Sequence, residues 1–128
     1  MPAWEDYKAE AKSRGALALE VFVVQSAPAG TPDAVKANLP DHLAYQAQME
    51  AEGHLVFAGP VSDETGDLME GAGMIIYRAP NFEAARALAE GDPMHASGAR
   101  TYELRKWLIN EGGLSLSVSL SAQVVKLG

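Results

Sequence analysis

An α+β fold, one antiparallel sheet with helices packed on a single face, is what this sequence predicts, and three observations carry the prediction. Apolar, β-branched runs alternate with helical patterns in the order β-α-β-β-α-β. Gly and Pro punctuate most junctions between them. A chain of 128 residues, 48% hydrophobic and 21% charged, has the length and apolar content for one buried core.

Each element has its own signal. Trp4, Tyr7 and Ala11 recur at helical spacing over residues 3–13, and Gly15 supplies a stop. The run ALALEVFVVQS (16–26) is apolar on both faces apart from Glu20, the pattern of a central strand covered on two sides. Thr31-Pro32-Asp33 then offers a hydroxyl cap, a proline at the first helical position and an acid in the first turn. Pro40 is expected to interrupt or restart this helix. Its main part should run from about 40 to 52, with Leu39, Leu43 and Ala47 on the apolar face and Gly53 at the end.

HLVFAG (54–59) reads as a second strand, PVSDETGDLMEG as a polar turn and AGMIIYRA (72–79) as a third strand. Asn81 caps FEAARALAE, whose apolar stripe is Phe82, Ala85, Leu88 and Ala89. Gly91 closes that helix, and ARTYELRKWLI (99–109) alternates as a fourth strand. This order is the split β-α-β pattern of ferredoxin-like folds. Residues 1–128 therefore read as one domain, with a core over about 17–109 and an N-terminal helical extension over 1–15. In the tail, Leu114, Leu116, Val118, Leu120, Ala122 and Val124 alternate with four serines and Gln123. Period two over residues 114–125 predicts an extra, half-buried strand that joins its own sheet or crosses to a partner.

Composition removes several classes of function. A net charge of -7 and a pI near 4.8, with no Lys/Arg-rich run, repel phosphate backbones and anionic membranes, so neither is an expected partner. Without cysteine, disulfides, thiolate metal sites and cysteine catalysis are excluded. The charged N-terminal stretch lacks an apolar signal region, and no run is long enough for a membrane span, so the cytoplasm is the expected compartment. No HxH or HExxH spacing, phosphate loop or dinucleotide fingerprint occurs, so neither metal nor cofactor is expected.

Topology gathers the polar groups. In this β-α-β-β-α-β order one edge of the sheet collects the start of the first core helix, the second hairpin and the link into the last strand. Three distant segments should therefore converge there: His42, then Ser62 and Asp63, then Asp92, His95 and Ser97. His42 and Asp92 are the natural pair, because a carboxylate beside an imidazole fixes its tautomer and stabilises the cation it forms on taking up a proton. The blander readings are an Asp-Pro turn and a surface histidine in a helix. His95 reads equally as a second pocket imidazole or as a solvated loop side chain, and His54 as structural. Arg78, Arg100 and Arg105 lie on or beside strands, where one could reach a carboxylate ligand, although a solvent-facing role is the commoner one. A Ser-His-Asp triad through Ser62 or Ser97 lacks a nucleophile elbow.

His42-Leu43, Gly59-Pro60, the acidic Gly-containing hairpin, Asp92-Pro93 and Ser97-Gly98 together resemble the YciI-like proteins of the dimeric α+β barrel group, over roughly residues 17–109. The resemblance implies a ferredoxin-like subunit that dimerises through its sheet and a ligand pocket between sheet and helices. It also implies a functional His/Asp pair, which falls here on His42 and Asp92. One activity in the family removes chloride from a chlorinated hydroxyquinol-type aromatic, an elimination that needs only acid–base groups. The N-terminal helix and the Ser-alternating tail depart from the short family pattern, and His95 is extra to it. The expected function is therefore a small acid–base enzyme, a lyase or isomerase for a small oxygenated, aromatic or cyclic metabolite. His42 and Asp92 would be catalytic, and Ser62, Asp63, His95 and Ser97 would line the mouth. The alternatives are a non-catalytic ligand-binding or accessory protein using the same pocket, and a purely structural dimer.

Overall fold

A computed structural model describes all residues from 1 to 128. The chain forms two compact units, one of residues 20–107 and one of residues 1–19 together with 108–128.

The larger unit is built on four strands: β1 (Leu19–Pro28), β2 (Leu55–Pro60), β3 (Gly73–Tyr77) and β4 (Arg100–Ile109). They form one antiparallel sheet in the order β2-β3-β1-β4, the ferredoxin-like arrangement. Register assigns the faces. Phe22↔Tyr77, Val24↔Ile75 and Ser26↔Gly73 share one face, and Val23↔Ile76 and Gln25↔Met74 share the other. The first face carries the core of Val24, Met49, Ile75, Tyr77 and Ala89, against which Tyr45, Leu55, Leu88, Tyr102 and Leu104 pack. β1 is interior and buries side chains of both parities, Val21 and Val24 at 0% exposure. It begins at Leu19 rather than near residue 16, because Ala18 takes a left-handed φ of 50° that a strand cannot continue through.

The first core helix, α2 (Pro32–Ala51), differs from expectation in two ways. It runs unbroken through Pro40. Lys36 and Pro40 are both exposed, so water can reach the carbonyl that Pro40 leaves without an N–H donor. Its inner face is also not the Leu39, Leu43 and Ala47 stripe, all three of which are exposed. Asn38, His42, Tyr45 and Met49, at helical spacing, turn inward instead. Thr31 caps the helix by accepting from the Ala34 N–H at 3.2 Å.

α3 (Phe82–Gly91) buries Ala85 and Ala89 as its pattern predicts, and Asn81 Oδ1 accepts from the Ala84 N–H at 2.8 Å. A single turn, α4 (Pro93–Ala96), follows at once, with Asp92 as its cap.

In the smaller unit, α1 covers Trp4–Ser13. The tail is not one half-buried strand. It is a hairpin, β5 (Leu116–Ser119) against β6 (Val124–Leu127), with both strands exposed. Gln123 adopts a left-handed φ of 52° and its N–H reaches the Leu120 carbonyl at 3.3 Å, so the chain reverses with neither Gly nor Pro to signal it. Leu116↔Leu127 and Val118↔Val125 share one apolar face of the hairpin. No helix is long and apolar enough to cross a membrane.

Candidate functional site

His42 enters the site from the third turn of α2, and Asp92 from the junction of α3 and α4. Nδ1 of His42 lies 2.9 Å from Oδ1 and 2.9 Å from Oδ2 of Asp92, fifty residues away in sequence. A carboxylate can only accept, so Nδ1 carries the proton and donates it. Nε2 is then the free lone pair. It has no protein partner and is not sealed in the interior. The exposures agree: 17% for the His42 side chain and 0% for that of Asp92. Asp92 also accepts from the Met94 N–H at 2.9 Å, so one carboxylate caps a helix turn and holds an imidazole together.

Two tyrosines surround this pair. The Tyr45 hydroxyl donates to the Leu88 carbonyl at 2.6 Å. It lies against Gly91, where an added Cβ would sit 2.7 Å from Oη. The Tyr77 hydroxyl is fully buried and has no hydrogen-bond partner. Burial raises the pKa of both phenols, and the Asp92 charge adds to each shift. Both rings report a water-poor surrounding for the carboxylate.

The side chains of the other expected groups bond elsewhere, and none of them bonds to the side chain of His42 or Asp92. His95 is buried rather than at a rim: Nδ1 is 2.8 Å from the Ala89 carbonyl, Nε2 is 2.9 Å from Ser26 Oγ, and its ring lies 4.7 Å from that of Tyr102. It belongs to a chain of bonds that orders the start of β4. Ser97 is exposed and bonded to its own turn, donating to the Met94 carbonyl at 3.4 Å and accepting from the Ala99 N–H at 3.2 Å. Ser62 donates to the Asp63 carbonyl at 3.0 Å. Asp63 in turn accepts from the Thr65 hydroxyl at 2.7 Å and from the Gly66 and Leu68 N–H groups, which holds its pKa below the usual carboxylate range. These bonds order the hairpin loop and satisfy both side chains locally. His54 lies 3.7 Å from Glu52. No three His, Cys, Asp or Glu side chains converge as a metal site.

Tyr45, Tyr77, Ser26 and Arg100 complete the neighbourhood. No motif or spacing singles out the tyrosines or Ser26 in the sequence, and the inward rotation of α2 brings Tyr45 beside Asp92. A recess of about 450 Å³ is lined by Gln25, Met74, Thr101 and Glu103 among others. By register and alternation these four belong to the sheet face opposite the helices. His42 and Asp92 are not among its lining residues.

Comparison with known proteins agrees with this architecture. The model of the YCII-related domain matches residues 18–108. No curated protein matches the sequence. Among solved structures, the chain is similar to 5-chloro-2-hydroxyhydroquinone dehydrochlorinase from Burkholderia phenoliruptrix AC1100, in complex with 2,5-dihydroxybenzoquinone. The TM-score is 0.52 at 15% identity, covering 68% of this chain and 92% of that one.

Proposed function

Because the chain belongs to the YCII-related domain family, we propose that it is a small acid–base enzyme of lyase or isomerase type, acting on a small oxygenated, aromatic or cyclic metabolite through His42 and Asp92. One observation carries the reading: a fully buried carboxylate holds Nδ1–H of His42 at 2.9 Å and leaves Nε2 as an accessible base. Nε2 takes a proton from the substrate. The electron pair it leaves behind expels a leaving group or shifts a double bond, and Asp92 stabilises the imidazolium until the proton is returned. The similarity to a dehydrochlorinase that acts on a chlorinated hydroquinone supports this reaction type and substrate class. Neither His42 nor Asp92 needs a metal or cofactor for this step. Ser62, Asp63, His95 and Ser97 act at one remove in this reading, by fixing the loops around the pair.

The working form we infer is a cytoplasmic homodimer or higher homo-oligomer that binds a small molecule. Phe57 and Trp107, 48% and 43% exposed on the sheet face away from the helices, support association through that face. A second reading, a non-catalytic ligand-binding protein, is favoured by the recess on that same face, whose lining offers little acid–base chemistry beyond Glu103.

A metabolite screen by thermal shift, repeated on His42→Ala and Asp92→Ala, tests the catalytic reading. The expected result is a ligand that wild type converts and both variants leave unconverted. A ligand converted equally by all three chains overturns it.

A further inference from the structure

Arg100 is a half-buried cation with no carboxylate partner. Its Nε donates to Ser26 Oγ at 2.8 Å, one Nη2 proton goes to the Ser26 carbonyl at 3.0 Å, and the other goes to the Gly71 carbonyl. All three acceptors are neutral. The other arginines are placed differently: Arg14 and Arg105 pair with Glu10 and Glu103, Arg86 lies over the Phe82 ring, and Arg78 is exposed to water. Desolvation lowers the Arg100 pKa, and the nearby Asp92 charge only partly opposes this. Asp92 makes its bonds to His42 and Met94.

The guanidinium is also held still. Ala89 can only accept, so His95 Nδ1 carries the imidazole proton and Nε2 accepts. Ser26 therefore donates its hydroxyl proton to His95 and receives Arg100 Nε–H on the same oxygen. Ser26 and His95 are only 5% and 9% exposed, so this chain of bonds works in a low-dielectric setting where orientation is strongly enforced. With Nε and Nη2 committed, both Nη1 protons remain. Nη1 has no protein partner, and it reaches solvent, because the only buried polar side-chain atoms without partners are Tyr77 Oη and Asn110 Oδ1. Arg100 shares the helix-covered face of the sheet with Ser26, and that face also bears the His42–Asp92 pair.

We propose that Arg100 is an anion-binding residue whose Nη1 takes a carboxylate group of the ligand, held in place by the Ser26–His95–Ala89 chain. The assignment rests on the acid–base reading for its reaction and adds the substrate class, a small carboxylic acid. An aqueous carboxylate supplies the counter-charge that the protein withholds and accepts an Nη1 proton that the protein's own oxygens leave free. On a chain of net charge -7, a fixed and desolvated guanidinium is what selects such an anion against general repulsion.

Benzoate and its neutral isostere benzamide, titrated while Arg100 side-chain NMR resonances are followed, test the assignment. Saturable shifts of the Arg100 Nη and Nε signals are expected with benzoate, with binding roughly tenfold or more tighter than benzamide. Arg100→Gln should weaken benzoate binding by about ten- to hundredfold, Arg100→Lys should restore part of it, and Arg14→Gln, at an exposed arginine that ends α1, should leave it within about threefold. Equal binding of benzoate and benzamide overturns the assignment, as does the absence of any Arg100 shift at 100-millimolar-range benzoate. A folded Arg100→Gln variant that binds benzoate like wild type does the same and reduces Arg100 to a tie between β1 and the loop ending at Gly71. Benzoate binding does not depend on turnover, so a failure of the His42 chemistry would leave this result standing.

Discussion

Asp92 has two roles in one carboxylate, and substitutions can separate them. Asp92→Ala removes the cap on α4 and the His42 partner together, and should cost about 2–4 kcal/mol in urea denaturation. Asp92→Asn keeps an oxygen for the Met94 N–H and should cost only about 1–2 kcal/mol. It removes the charge that stabilises an imidazolium, so it should abolish turnover nearly as completely as Ala does. An Asn variant that is active would show that the pair is structural. The sequence supported the pairing of His42 with Asp92 because topology alone carries both to one region. It could not show the buried Tyr77 hydroxyl or the Ser26–Arg100 bond, since a tyrosine, a serine and an arginine on strands each have many ordinary uses.

α2 and α3 show what is legible in an element and what is not. Capping chemistry at Thr31 and Asn81 reads directly, because it depends on neighbours three residues away. The inward face of α2 does not, because its largest aliphatics, Leu39 and Leu43, point outward while polar Asn38, His42 and Tyr45 are half-buried. A helix that serves a polar site inverts the usual hydrophobic signal. Where α3 ends, Gly91 lets Tyr45 approach the backbone: a Cβ there would lie 2.7 Å from Oη. Gly91→Ala should therefore push the ring off the Leu88 carbonyl and cost about 1–3 kcal/mol. Adding Tyr45→Phe should recover part of that loss, and a double-mutant cycle by chemical denaturation would read the coupling. Pro40 bears on the same helix. It is exposed and accepts no strain from tertiary packing, so Pro40→Ala should raise stability by about 1–3 kcal/mol through the restored bond to Lys36. An unchanged denaturation midpoint would show that the helix already absorbs the proline without cost.

At the scale of the molecule, element order was readable because Gly and Pro break the chain at most junctions, and order together with right-handed connection leaves few topologies. The tail hairpin was not readable: strict alternation is the same for one long strand and for two short ones when the reversal uses Ser, Ala and Gln. Burial of phenols gives the whole chain a further property. Tyr45, Tyr77 and Tyr102, three of its four tyrosines, have pKa values raised above 10.0, each chiefly by desolvation. An unfolded chain loses these protons first as pH rises through about 10. Above that point the folded state holds more protons than the unfolded one, so stability present at neutral pH falls with further alkalinity. Tyr77 should dominate, being fully buried with no partner for its hydroxyl. Tyr77→Phe is then expected to be neutral or stabilising by up to about 1 kcal/mol at pH 8, since it removes an unpaired polar group and leaves the ring. It should also flatten the decline between pH 9 and pH 11. Urea midpoints measured across that range for both chains decide the matter. Parallel decline would place the alkaline sensitivity in other groups, and a marked loss of stability at pH 8 would mean that the hydroxyl is satisfied by a bound water.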